Sequence, residues 1–194
     1  GQLNALTSDQ FSRLSTAAIS GLSTAQLNSL GTGQIKALST LQVSTLSATQ
    51  VANLSPSKLA LFNGDQISAL STGSVAALTS LQIDALSTGQ IQAFSDGQVT
   101  KLNLNAARSL DASQVKVLSY SAIQSMTASF DVSQVAAFTT DQLQQLSTAQ
   151  VRAFTSGQVA ALTTDQVAAL KTAQVNALSS SQVRALSGGQ CGRD

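Results

Sequence analysis

The chain has 194 residues, of which 43% are hydrophobic, 10% charged and 4% aromatic, and ten Lys+Arg face nine Asp+Glu for a formal net charge of +1. No basic block is present to neutralise phosphates, so nucleic acid is not expected as a partner. All nine acids are Asp, and Glu, His and Trp are absent, so acid–base and nucleophilic catalysis lack a tuned base; no enzyme, cofactor or metal site is expected.

The chain opens Gly1-Gln2-Leu3, without Met, a basic leader or a signal-type apolar core, as expected of a processed product or a fragment. Gly1 to Leu6 reads as a partial octad. From Thr7 onward the sequence divides into octads of the form Ser/Thr-x-x-Gln-Val/Ile-x-Ala-Leu. Fifteen fill residues 7–126, Thr127 to Phe130 add four residues, and seven more octads fill 131–186 before a tail at 187–194. One repeat domain spanning 1–194 is expected. Ser, Thr or Gln interrupts every apolar stretch within a few positions, so no membrane insertion is expected.

All 22 complete octads carry an apolar residue at place five and end in Leu, Phe or Met. A continuous helix does not fit this spacing. Eight residues at about 100° each leave the apolar stripe roughly 80° out of phase per octad. A β-solenoid is the rival, since Val and Ile favour strands, but Gln and Ala do not. The first four places instead spell a capping box: Ser or Thr at N-cap accepts from the backbone N–H of N3, and the N3 side chain reaches back to the cap. Sixteen octads open with Ser or Thr, and Gln fills place four in 17; the exceptions are Ala18, Lys58, Ser74, Ala106 and Ala122. The sole proline, Pro56, falls at N1, where a missing N–H costs nothing. Seven Asp residues lie in the first three places, beside the positive helix end.

One octad cannot fold alone, because burying Val and Leu returns about 3–6 kcal/mol against a backbone entropy cost on the order of 10 kcal/mol. The fold class is therefore all-α, a tight α-solenoid with one short helix per octad, places five and eight inside and places two, three and six outside. In the four-residue insertion, Ile123, Met126 and Phe130 keep helical spacing, so the helix after Ser119 is expected to run one turn longer.

Exposed apolar residues are expected at Leu41 and Leu81, at place three, and at Leu104 and Val132, at place two. Leu41 and Leu81, with Tyr120 and Phe130 near the insertion, are the candidates for a lateral contact. Threonine recurs at place two (Thr16, Thr24, Thr32, Thr40, Thr72, Thr88), giving a hydroxyl-rich surface open to covalent glycans. Asn53-Leu54-Ser55 is an N-glycosylation sequon, although Ser55 reads as a cap. Cys191 is the one cysteine, which excludes an internal disulfide and leaves a small core-like residue or a crosslink between chains.

The octads Ser147-Thr148-Ala149-Gln150-Val151-Arg152-Ala153-Phe154 and Ser87-Thr88-Gly89-Gln90-Ile91-Gln92-Ala93-Phe94 resemble repeat tracts of large bacterial secreted and surface proteins, often described as adhesin-like. The resemblance implies an extracellular or cell-surface location in a bacterium. The Thr-x-x-Gln-Val opening is also similar to the first helix of transcription-activator-like effector repeats, but their longer repeat and base-reading loop are missing, so DNA reading does not carry over.

The expected function is an extracellular structural protein that self-associates as a fibre or adhesin stalk. The alternative is a binding module whose hydroxyl-rich face recognises a glycan or another surface. Head-to-tail joining of identical chains is expected to complete an octad across the junction. Ser187 and Gly188 would supply places one and two, and Gly1, Gln2, Leu3, Asn4, Ala5 and Leu6 the rest, with Cys191 beside them.

Overall fold

The computed structural model describes residues 2–188, with the side chains of 2–186. Each complete octad forms one α-helix, 22 in all, from Ser8–Ser12 to Ser180–Gly188, and no strand occurs among the described residues. Gln2–Ala5 adds a 3-10 turn at the front. Place one is the N-cap throughout: Ser39, for example, has extended backbone at φ −71°, ψ 158° and accepts from the Gln42 N–H. Pro56 stands at N1 of the helix Pro56–Leu59, as its position in the octad predicts.

The chain turns between helices without left-handed residues. Leu30 (φ −59°, ψ 143°) and Leu38 (φ −58°, ψ 125°) end their helices in extended backbone, and the next cap is extended as well. Two successive extended residues redirect the chain, so no described residue, glycine included, has positive φ. One glycine answers to crowding instead: a Cβ at Gly33 would lie 2.6 Å from the Ser8 hydroxyl.

The chain falls into two compact units, Gly1–Ser109 and Leu110–Asp194. In the first, each helix packs on the helix three octads later: Ser8–Ser12 on Thr32–Ala37, Ala48–Ala52 on Thr72–Ala76, and Ser80–Asp84 on Leu104–Arg108. Three octads therefore complete one coil. The second unit follows the same rule, with Thr140–Gln145 on Thr164–Ala168 and Ser156–Ala160 on Ser180–Gly188.

The insertion takes the place of one octad in the second unit. Tyr120–Met126 is a seven-residue helix, and Thr127–Ser129 continues it as a 3-10 turn, which is the extension the apolar spacing predicts. That turn packs against Thr148–Ala153, three positions on, as a full octad would. Phe130 is buried at the equivalent of place eight, its ring edge-on to Phe138 at 5.2 Å between centroids. Inside the turn, the Thr127 hydroxyl donates to the Ile123 carbonyl at 2.8 Å.

The core is built from places five and eight, as the octad pattern predicts. Place five is no more than 3% exposed from Phe11 through Val159. One expectation needs enlarging: place four is also inside. Gln42, Gln66, Gln82, Gln98, Gln142 and Gln174 are all buried. A primary amide is costly to bury unless its donors and acceptor are all matched, so these side chains need partners beyond their own cap.

Candidate functional site

The repeating site is the place-four amide. Its Oε1 closes the cap of its own helix, as when Gln82 accepts from the Thr79 N–H at 2.9 Å. Its Nε2 crosses to the preceding coil. Gln82 donates to the carbonyls of Val51 and Leu54, both at 2.7 Å, and Gln98 donates to Ile67, Ser68 and Leu70 at 3.2, 3.1 and 2.7 Å. In the second unit, Gln174 donates to Leu143 and Leu146 at 2.8 and 2.7 Å.

The acceptors are the last carbonyls of short helices, which have no partner inside the helix. Each of these glutamines thus caps two helices, the start of its own and the end of one in the coil before. Among the described residues no buried side-chain polar atom lacks a partner. This double duty accounts for the absence of glutamate at place four: a Glu oxygen could accept from the N-cap, but the carboxylate has no proton for the carbonyls.

Three of the departures from Gln keep a cross-coil donor. Ser74 donates through Oγ to the Leu46 carbonyl at 2.9 Å, and Lys58 donates through Nζ to that of Leu30. At Ala106 the cap residue takes over, with Asn103 Nδ2 donating to the carbonyls of Ala76 and Leu78 at 3.2 and 2.7 Å. Lysine supplies no acceptor for its own cap, and there the Ser55 N–H donates instead to Asn28 Oδ1 at 2.7 Å. Ser55 was expected to cap this helix, but its hydroxyl bonds that of Ser57, and the Lys58 N–H donates to the Ser55 carbonyl. Replacing Lys58 by Met should cost about 1–2 kcal/mol in urea unfolding, because the Leu30 carbonyl loses its donor, while Lys101→Met at an exposed position should cost almost nothing.

The insertion modifies the ladder. Gln134, Gln142 and Gln158 reach the carbonyls of Leu110, Leu118 and Phe130 at 2.9, 3.1 and 2.8 Å, so the coil closes correctly although four residues replace eight. Because the helix continues past Met126, Gln150 turns to the Gln124 carbonyl.

Arg13 meets Asp9 at 3.4 Å with both side chains exposed, a pair of little energetic weight. The Asp111 carboxyl is held below its usual pKa, chiefly by the Ser113 hydroxyl and then by the Gln114 N–H, with a smaller opposing push from burial. A lowered pKa adds stability above the unfolded-state value, and that stability is lost as pH falls through the folded value. Solvent screening keeps the contribution small at so exposed a group.

The candidates for a lateral contact separate. Leu41, Leu81, Leu104, Tyr120 and Val132 are exposed, as expected of places two and three. A coil of three octads puts Leu41 and Leu81, five octads apart, on different sides, whereas Leu81 and Leu104 lie on helices in contact. Phe130 must be corrected: it is buried and presents nothing to a partner, because the insertion returns it to place eight of the core.

Among the residues proposed for self-association, Gln2 is exposed and Leu3 and Leu6 are half-buried, with Gln34 Nε2 donating to both leucine carbonyls at 2.7 and 2.9 Å. The partial octad thus takes its place in the first coil. Ser187 and Gly188 belong to the last helix, and Gly1 and Cys191 lie outside the described residues.

The first coil of the first unit and the last described coil of the second differ in chemistry. At the first, Leu14 and Leu22 are half-buried, while Leu30, Leu38 and Leu46 in the next coil are buried. The side chains of Gln10 and Gln26 are exposed there; each Oε1 takes its own cap N–H, at 3.0 and 2.8 Å, and no described carbonyl accepts from either Nε2. In the last described coil, Val175 and Val183 are 45% and 52% exposed, although they occupy place five.

Short helices, one per repeat, packed coil on coil define an α-solenoid repeat protein. The profile of the ALTTAQ repeat family matches residues 3–40, 59–96, 135–172 and 164–192, and the chain belongs to that family. A comparison with curated proteins finds no match. Among the described residues no helix is long and apolar enough to cross a membrane, and no group of His, Cys, Asp or Glu is placed to hold a metal. The repeat family fits a structural or binding role built on the repeat itself.

Proposed function

We propose that the chain is a non-enzymatic structural protein of the bacterial exterior that self-associates head to tail, as a fibre or an adhesin stalk. The observation that carries this reading is the pair of unlike faces. Each coil offers place-four amide donors on one side and helix-end carbonyls on the other, so coils add in one direction. Each side is one half of the interface that holds consecutive coils together. A contact between unlike faces does not close on itself and so propagates. Exposed place-two hydroxyls at Thr32, Thr40, Thr72 and Thr88 leave room for covalent glycans without disturbing the core.

The second reading, recognition of a glycan or surface by that hydroxyl face, is less well supported. The three-octad period stacks Thr16 below Thr40, but Gly64 follows before Thr88, and Ala48 parts Thr24 from Thr72. No unbroken file of threonines results. Negative-stain microscopy of the purified chain should show unbranched filaments whose length grows with concentration. Isolated particles at every concentration would sink the self-association reading.

A further inference from the structure

Asparagine loses its side-chain nitrogen when the backbone nitrogen of the next residue closes onto it, and glycine, with no side chain in the way, obstructs that approach least. Only Asn63 among the asparagines precedes a glycine. We propose that Asn63 and Gly64 form a self-modification site, at which water converts the Asn63 amide to a carboxylate, and that the folded coil accepts an aspartate there. The site stands independently of self-association.

Three observations carry it. First, Asn63 is exposed at the cap of the helix Gly64–Ser68, and no described residue accepts from the Gly64 N–H, the attacking group. Second, the leaving nitrogen, Asn63 Nδ2, also donates to no described residue, since the side chain bonds only through Oδ1. Elsewhere that nitrogen is engaged: Asn28 Nδ2 donates to the Thr24 and Asn53 carbonyls at 3.0 and 2.7 Å, and Asn103 Nδ2 to those of Ala76 and Leu78. Third, the atom the fold uses survives the change. Asn63 Oδ1 accepts from the Gln66 N–H at 2.8 Å, and the carboxylates of Asp111 and Asp131 make the same cap bond at 2.8 and 2.9 Å. A negative charge there also suits the positive helix end.

The step balances without an oxidant. The Gly64 nitrogen gives up its proton to hydroxide and bonds Asn63 Cγ, the Cγ–Nδ2 bond breaks, and Nδ2 takes a proton and leaves as ammonia. Water then adds at Cγ of the succinimide, the bond from Cγ to the Gly64 nitrogen breaks, and a proton returns to that nitrogen. Water entering at the main-chain carbonyl gives isoaspartate, which carries the same new charge. Ring closure rotates Asn63 away from ψ 174° and releases the Gln66 N–H, so it waits on opening of the cap and runs slower in the folded chain than in urea.

The test incubates the purified chain at pH 8, folded and in urea, and locates converted residues by peptide mapping with tandem mass spectrometry. In the folded chain Asn63 should convert several-fold faster than any other described asparagine. Gly64→Ala should slow it several-fold while keeping the cap, because Gly64 lacks positive φ and the added Cβ would stand 3.4 Å from that of Ala93. Asn63→Asp should melt within a degree or two of the parent chain, whereas Asn103→Asp, which loses two cross-coil bonds, should melt lower. A folded chain that keeps Asn63 intact after the chain in urea has converted fully, or that converts other asparagines as fast, overturns the site. An Asn63→Asp variant that melts as low as Asn103→Asp overturns the acceptance of aspartate.

Discussion

Gln82→Glu should lower stability by on the order of 3–5 kcal/mol at pH 7, although it changes one amide nitrogen to oxygen. The side chain is buried, and its Nε2 supplies the carbonyls of Val51 and Leu54. An ionised glutamate there turns an oxygen toward two carbonyl oxygens, with no positive partner and little water. Burial and the facing carbonyls both disfavour the charged form, so its pKa in the folded state rises above the ordinary value of about 4.3. Below about pH 4.3 the carboxyl is protonated in both states and regains one donor, so the deficit relative to the parent chain should be smallest there. It should grow as pH rises through the folded pKa and then level off. Urea unfolding of both proteins across pH 3.5–7.5 reads this directly. A deficit independent of pH would mean that the amide is not a donor to the preceding coil.

Leu86→Asp should be the most damaging single change in the first unit, costing more than about 4 kcal/mol. Leu86 is a buried place-eight residue, and a carboxylate there lies in the apolar seam without a counter-ion. Its helix, Ser80–Asp84, packs on Pro56–Leu59 in the coil before and Leu104–Arg108 in the coil after, so the loss should spread across coils rather than stop at one octad. Thr88→Ala, two residues on and exposed, should shift the melting temperature by no more than a degree or two. Thermal unfolding followed by circular dichroism, with limited proteolysis to locate opened segments, checks both. Comparable effects of the two changes would overturn the inside and outside assignment.

The helix starts were legible because the cap, the N3 glutamine and Pro56 are local signals that agree, and the structure places helices where those signals end and begin. The core was legible for the same reason, since places five and eight are apolar in every octad. The second task of place four was not read, yet a signal existed. Glutamate serves a capping box as well as glutamine does, so 17 glutamines and no glutamate call for a donor as well as an acceptor. Lys58 and Ser74, which look like lapses in the repeat, share the ability to donate.

The number of octads per coil was not legible because near-identical octads carry no mark at every third one. The extended residues at places eight and one set the turn, and their geometry is not encoded in residue type. The insertion was half-read. Its helical spacing foretold the longer helix, but whether Phe130 met solvent or core depended on the coil period, which puts the 3-10 turn against Thr148–Ala153 and the ring against Phe138.

Side-chain amide hydrogen exchange in uniformly 15N-labelled protein tests most directly whether place four joins the coils. The Nε2 protons of Gln66, Gln82 and Gln98 in the first unit, and of Gln142 and Gln174 in the second, should exchange as slowly as core backbone amides, because each is buried and bonded to carbonyls of another coil. Gln92, exposed at place six, should exchange like a free amide. Free-amide exchange at all six glutamines, in a chain that remains fully helical, would contradict the account.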